Sequence, residues 1–326
     1  MPKLRTRAFA KINLSLAVRG KRDDGYHDLD TLFDEIDFGE DIGFEVGPSG
    51  EFTLSLRDAP SAVPRDDDNL VLRAARLLQR TLDLDIGGRF VLEKRIPAGA
   101  GLGGGSADAA AALRLVAAAA GLDIENADLL DRLESIGREL GADVPFFVRG
   151  RRAFARGRGD EPTPRSAEPP IFYVLLLPGL HCDTGRVFSR WHRELNHREP
   201  PIGSEPSAAA SGFPEAVANP ETVAVIADGG LAGVFNDLTA AAMRAYPELD
   251  ALRNDLSRAC AFDLHLSGSG STLFSVTSDE RGHATQRTVL ESAVASIAAS
   301  HEAVAPIRVL AARSVAPGAR AVHRTP

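Results

Sequence analysis

Five glycines crowd into a ten-residue loop that opens straight onto a run of alanines: Pro97, Ala98, Gly99, Ala100, Gly101, Leu102, Gly103, Gly104, Gly105 and Ser106, then Ala107, Asp108 and four alanines. Residues without a Cβ let the backbone turn through positive φ and let an anion approach the N–H groups closely. The start of a helix adds unpaired donors and the positive end of the helix dipole, so the junction predicts a phosphate site. Ser106 is expected to cap the helix and Gly121 to stop it. Asp108 falls in the expected first turn, where a carboxylate suits the dipole.

The loop matches neither standard phosphate motif. Gly99-x-Gly101-x-x-Gly104 resembles a dinucleotide fingerprint, but that unit needs a second strand ending in an acidic residue roughly 20 positions on. Asp123 and Glu125 lie near that distance, yet the intervening chain is the alanine helix and another helical pattern follows at once. A Walker A loop needs Lys before its Ser or Thr, and Gly105 precedes Ser106. A flexible glycine hinge is the alternative reading.

Coarse patterning surrounds the loop with alternating elements. Residues 8–18 alternate as a strand, with Ile12, Leu14, Leu16 and Val18 on one face and Lys11, Asn13 and Ser15 on the other. Residues 22–27 read as a polar turn, and 32–38, 41–46 and 51–56 as extended. A helical pattern over 69–82 and a strand over 89–96 lead to the glycine loop. A second amphipathic helix, 129–140, stops at Gly141, and Asp143 is expected at a helix-to-strand corner fixed by Pro145. Beyond lie strands at 171–177, 262–266, 272–276 and 307–315, helices at 238–245, 247–259 and 286–299, and a second Gly/Ser loop at 267–271 that alone reads as a hairpin.

A chain of 326 residues exceeds the size at which one core keeps growing. Gly, Pro and charged residues cluster at 157–170, which divides the chain into expected domains 1–165 and 166–326. The stretch 197–220 carries five prolines among Ser and Ala and reads as a surface excursion. Two cysteines, Cys182 and Cys260, exclude a disulfide framework and suit a reducing cytoplasm. Lys11 interrupts the apolar stretch after Lys3, Arg5 and Arg7, so no export signal is expected. Apolar runs such as 171–180 reach half of the roughly 20 residues a bilayer requires, which speaks against a membrane partner. A net charge of -8 argues against nucleic acid and requires local basic groups to draw an anionic ligand.

Three segments, Ala10 to Leu14, Pro97 to Ala110 and Leu266 to Phe274, resemble in order and spacing the GHMP kinases, the superfamily of galactokinase, homoserine kinase and mevalonate kinase. The resemblance spans nearly the whole chain. It implies an α/β (α+β) fold of two domains: an N-terminal ATP domain resembling one in a ribosomal protein, a C-terminal ferredoxin-like domain, and an active site in the cleft between them. Arg22 to Phe33, Asp68 to Leu70, Leu140 to Phe147 and Thr184 to Phe188 resemble one branch in particular. That branch transfers the ATP γ-phosphoryl group to the 2-hydroxyl of a cytidine-diphosphate-linked methylerythritol. Asp160 stands after Gly157-Arg158-Gly159 where that branch more often has Glu.

The resemblance assigns roles residue by residue. Asp143 is the implied base for the hydroxyl and Lys11 its cationic neighbour, placed to steady charge on the phosphate. The backbone of 97–107 is the implied ATP cradle, flanked by Asn69 and Lys94, with the Ser106 hydroxyl near Mg²⁺. Asn13, Tyr26, His27, Thr184 and Phe188 are the implied substrate contacts, Tyr26 and Phe188 by stacking on a pyrimidine and His27 by bonding its edge. Each also has a plainer reading: Asp143 as a cap, Lys11 as a surface lysine, Asn69 as a helix start, Lys94 as a strand residue, Phe188 as core, Tyr26 and His27 as a solvated turn. Arginines 149, 151, 152, 156 and 158 either draw the substrate's diphosphate or face solvent, and the solvated hairpin is the favoured reading. Alternatives in function are another small-alcohol kinase of the family, acting on homoserine or mevalonate, and a noncatalytic nucleotide-binding or RNA-binding protein on the same fold.

Overall fold

A computed structural model describes residues 3–47, 50–60, 63–165, 169–195, 233–316 and 318–325. The 197–220 stretch lies outside them, as do residues 166–168 at the expected domain boundary.

Strand β1 (Lys3–Lys21) and β2 (His27–Gly47) form one long antiparallel hairpin, with Lys11 opposite Glu35 and Asn13 opposite Phe33. The separate extended segments expected at 32–38 and 41–46 are therefore a single strand. Gly39 permits this: a Cβ there would lie 2.5 Å from the Ala8 carbonyl oxygen, so only glycine lets the two strands stay paired. Strand β3 (Phe52–Arg57) runs parallel to β4 (Gly87–Glu93), which pairs with β2. Strands β5 (Arg152–Arg156) and β6 (Glu161–Pro164) extend the sheet beyond β2. Two short pieces from late in the chain, β8 (Phe235–Asn236) and β12 (His323–Thr325), pair with β1, so the first sheet reaches across the expected boundary.

The second sheet is antiparallel, in the order β11 (Arg308–Arg313), β7 (Phe172–Leu177), β10 (Leu273–Thr277), β9 (His265–Leu266). Helices α1 (Leu70–Thr81), α2 (Gly104–Ala119), α3 (Ala127–Leu140) and the short α4 (Val144–Arg149) belong with the first sheet. Helices α5 (Thr184–Leu195), α6 (Thr239–Ala245), α7 (Pro247–Ala259) and α8 (Glu280–Ile297) belong with the second.

Helix α2 explains its own composition. Every residue from Ala107 to Ala117 is buried, the ion-paired Asp108 and Arg114 included, so no face is left to solvent, and alanine lets α1, α4 and the sheet approach its backbone closely. It ends as the sequence predicts: Gly121 adopts φ +81°, and the Leu122 N–H reaches back to the Ala117 carbonyl.

Its start differs from expectation. Gly103, not Ser106, is the cap, in the left-handed region at φ 72°, and Ser106 lies inside the first turn. Glycine accepts that conformation without a side chain to bond the helix amides, which leaves those amides open. Asp108 correspondingly lies past the first turn and is buried. The corner at Asp143 leads into α4 rather than a strand, because Pro145 sits at the start of a helix, where its missing N–H costs nothing.

The two sheets share an apolar seam that includes Ile12, Leu14, Ile36, Tyr173, Leu175 and Phe274. Within it Asp34 is buried but well satisfied. It accepts from Arg152 Nε (3.1 Å), Tyr173 Oη (2.5 Å) and Ser314 Oγ (2.6 Å). Asp34 and Arg152 come from the first sheet, while Tyr173 and Ser314 come from the other half, so this cluster pins one to the other. Arg152 is thereby no part of a solvated hairpin, and Arg149, paired with Glu134 and Asp131, is not either.

Candidate active site

A cleft of about 1210 Å³ opens between the halves. It is lined by every site residue expected from the sequence except Ala107, which is buried under the loop.

The glycine loop is held by its carbonyls. Gly99 O accepts from Cys182 N (3.0 Å), Ala100 O from Thr272 N (3.1 Å), Gly101 O from Ser267 Oγ (3.0 Å) and Leu102 O from Lys11 N (3.0 Å). In a planar trans peptide the following N–H points opposite to the carbonyl. The amides of Ala100, Gly101, Leu102 and Gly103 are thus turned away from these anchors, and the first-turn amides of α2 have no intrahelical acceptor. Three glycines have positive φ: Gly99 (67°), Gly101 (73°) and Gly103 (72°). The Gly/Ser loop at 267–271 is a hairpin as read, but its function is to brace the first loop. A Cβ on Gly101 would lie 2.1 Å from the Ser267 carbonyl oxygen.

Lys11 and Asp143 meet beside this loop, Nζ to Oδ2 at 3.7 Å. Lys11 is 4% exposed, and Asn13 Oδ1 accepts a close hydrogen bond from its ammonium. Burial lowers the Lys11 pKa, and the Asp143 carboxylate opposes that shift without cancelling it. Strand alternation places Lys11 and Asn13 on the cleft face while Ile12 and Leu14 enter the seam. Asn13 Nδ2 donates to Thr31 Oγ1 (2.8 Å), which fixes its amide. The opposite face is buried as well, so Lys11 is not a surface lysine.

Lys94 and Asn69 are committed to structure. The Lys94 ammonium contacts Glu40 Oε2 and Asp108 Oδ2, both at 2.7 Å. Burial works against its charge, but the two carboxylates outweigh burial and raise its pKa, while burial and then Glu40 push the Asp108 carboxyl well up. Glu40 also accepts from the Arg95 and Ile96 amides, so this cluster fixes the approach to the loop. Asn69 caps α1 by accepting from Val71 N (3.0 Å) and donates to Pro64 O (2.7 Å).

At the far end of the cleft His27 stacks on Phe188, ring centroids 4.9 Å apart and planes at 28°. Trp191 meets His27 edge-on at 5.7 Å and His192 at 6.1 Å. Burial lowers the His27 pKa, and His192 and Lys21 add to the shift. Tyr26 stands 56% exposed, and Thr184 Oγ1 lies 2.9 Å from Ser269 Oγ. Sequence reasoning missed Ser269 and His192 as cleft residues. Ser269 was visible as part of a Gly/Ser loop, and His192 as one turn beyond Phe188 on a helix. Arg158 lines the cleft as well, and nothing local singles it out from the other four arginines.

One cleft thus joins an amide-lined loop with an adjacent Lys–Asp pair to an aromatic recess. Residues 69–151 match the family model "GHMP kinases N terminal domain". Homoserine kinase from Cytophaga hutchinsonii shares the fold, with a TM-score of 0.70 at 16% identity over 99% of this chain and 97% of that one. Among curated relatives, 4-diphosphocytidyl-2-C-methyl-D-erythritol kinase of Pseudomonas syringae is 39% identical over 84% of this chain and 85% of its own length. The enzyme of that name from Gloeobacter violaceus is 37% identical over 87% and 88%. A crystal structure of 4-(cytidine 5'-diphospho)-2C-methyl-D-erythritol kinase superposes with a TM-score of 0.69 at 31% identity, covering 96% of this chain and all of that one. The chain belongs to the 4-diphosphocytidyl-2-C-methyl-D-erythritol kinase family.

Proposed function

We propose that this protein uses ATP to phosphorylate the 2-hydroxyl of 4-diphosphocytidyl-2-C-methyl-D-erythritol, in the methylerythritol phosphate route to isoprenoid precursors. The observation that carries this reading is the single cleft with a Lys–Asp pair at the phosphate loop and an aromatic recess at its other end. Domains 1–165 and 166–326 are its two walls, and the first contributes the ATP loop.

In this reading the amides of 99–106 hold the triphosphate, and the acceptor hydroxyl lies between Asp143 and the terminal phosphorus. Asp143 takes the hydroxyl proton as the oxygen attacks the terminal phosphorus, and the bond from that phosphorus to the bridging oxygen breaks, releasing ADP. Lys11, fixed by Asn13, offsets charge gathering on the transferring group. The residues fit Mg²⁺. No group of three or more His, Cys, Asp or Glu among the described residues forms a metal cage, but Mg²⁺ characteristically keeps waters and binds through substrate phosphates with one or two protein oxygens. Ser106 Oγ, in the first turn of α2 beside the cradle, is the protein oxygen that would hold it. When bound, the ion supplies charge neutralisation on the phosphates. Tyr26 and Phe188 stack on cytosine and His27 bonds its edge, with Thr184 at the recess wall and Asn69 and Lys94 flanking the nucleotide.

Among the described residues no helix is long and apolar enough to cross a membrane. Two buried free cysteines support a cytoplasmic location. The decisive assay compares ADP release with the cytidyl alcohol, homoserine and mevalonate as acceptors. Turnover is expected with the first alone, and turnover of homoserine or mevalonate in its place overturns the assignment.

A further inference from the structure

The β5–β6 turn, residues 157–160, reaches the aromatic end of the cleft. We propose that Arg158 is a positioning residue whose guanidinium lies over the Tyr26 ring and holds that ring in place at the aromatic end of the cleft. The inference rests on the cytidyl reading above and deepens it.

Tyr26 needs such support. Its backbone is fixed by Asp24 Oδ1 accepting from its N–H (3.0 Å) and by Arg22 N donating to its carbonyl (2.8 Å), but the ring itself stands 56% exposed. The Arg158 guanidinium lies 5.0 Å from the centroid of that ring, inside the range of a cation–π contact.

Arg158 is itself held rigidly. Its N–H donates to Asp160 Oδ1 (3.0 Å), while its Nε (3.1 Å) and Nη2 (2.8 Å) both donate to Asp160 Oδ2. Asp160 is buried, and its carbonyl accepts from Arg138 Nε on α3 (3.1 Å). The turn is also tied to the strand that carries the recess, because Leu29 N donates to Gly157 O at 2.6 Å, two residues after His27. Gly157 and Gly159, at φ +65° and +89°, allow so tight a path. The connection therefore runs from α3 through Asp160 and Arg158 to Tyr26. Only a planar guanidinium satisfies both ends, forking on a carboxylate while presenting a flat cation to a ring.

The test is a double-mutant cycle on KM for the cytidyl alcohol. Arg158→Ala is expected to raise that KM about two- to fivefold, the range of an exposed cation–π contact, with kcat and KM for ATP unchanged. Arg158→Gln, which keeps a donor for Asp160 but no charge, should match it, and Arg158→Lys should restore less than half of the loss. In a Tyr26→Ala background, removing Arg158 should have almost no further effect, since the ring it supports is gone. An equal loss in both backgrounds overturns the proposal and assigns Arg158 directly to the substrate's diphosphate. An unchanged KM in Arg158→Ala and Arg158→Gln also overturns it. Absence of cytidyl-alcohol turnover in the unmutated protein would instead sink the proposed function, so the two failures are separable.

Discussion

Replacing Gly101 by alanine isolates what the phosphate loop demands of its backbone. Gly101 has φ 73°, and placing a Cβ-bearing residue in that region costs about 1–2 kcal/mol. The new methyl would lie 2.1 Å from the Ser267 carbonyl oxygen and 3.0 Å from that of Gly270, both backbone atoms in a braced hairpin. Relief requires the loops to part, which strains or breaks the Ser267 Oγ–Gly101 O and Thr272 N–Ala100 O bonds. Such bonds contribute about 0.5–1.5 kcal/mol each. The expected loss of stability is about 2–5 kcal/mol, the sum of the backbone and bond terms. Displacement of the amides by even about 1 Å should lower kcat/KM for ATP on the order of 10²-fold.

Gly105→Ala is the matched control. Its φ is not left-handed, and its nearest neighbour would be Leu70 Cδ1 at an ordinary 3.5 Å. Inside a helix that change should be neutral or stabilising by about 0.5–1 kcal/mol. Urea unfolding followed by circular dichroism, with ATP kinetics on both variants, reads the contrast. Equal unfolding midpoints and unchanged ATP kinetics for Gly101→Ala would refute the argument that the hairpin braces the loop.

Three further outcomes follow from the site. Asp143→Asn should retain ATP binding in calorimetry while turnover falls by orders of magnitude, and undiminished turnover removes Asp143 from the chemistry. Lys94→Met strands the Glu40 and Asp108 carboxyls and should cost about 3–5 kcal/mol, recovered in part by Asp108→Asn. Because the Lys94 pKa is raised above its usual 10.5, its contribution is complete below that pH and fades as pH climbs through the folded value. The wild type should therefore lose stability in that alkaline window, and the same slope in Lys94→Met would contradict the pairing. Burial first and His192 second hold the His27 pKa below its usual 6.5, so KM for the cytidyl alcohol should rise as pH falls, with its midpoint below 6.5. His192→Ala should move that rise toward 6.5, and a midpoint in wild type at or above 6.5 would contradict the account.

Much of this was legible locally. Asn69 and Gly121 bound their helices as cap chemistry requires, and alternation along β1 placed Lys11 and Asn13 together on one face. The cap of α2 was not legible, because Ser106 is a better side-chain cap than Gly103 and only the braced loop forces the left-handed turn one residue before the helix. The arginines after residue 148 look alike in sequence. Structure separates them into a buried partner of Asp34, a partner of Glu134 and a stacking group over Tyr26. Those differences arise from residues more than a hundred positions apart or from another helix, where no local pattern reaches.

Sequence alone determined that an alanine helix follows a loop open to anions, since glycine and alanine act through backbone sterics that depend on their own positions. Which groups face that loop was decided by the tertiary structure. Lys11 from β1, Asp143 from the start of α4 and the Ser267 hairpin converge because the long β1–β2 ribbon and the apolar seam bring both halves against one helix end. Charge pairing and burial act through distance in space, and only the folded chain sets that distance.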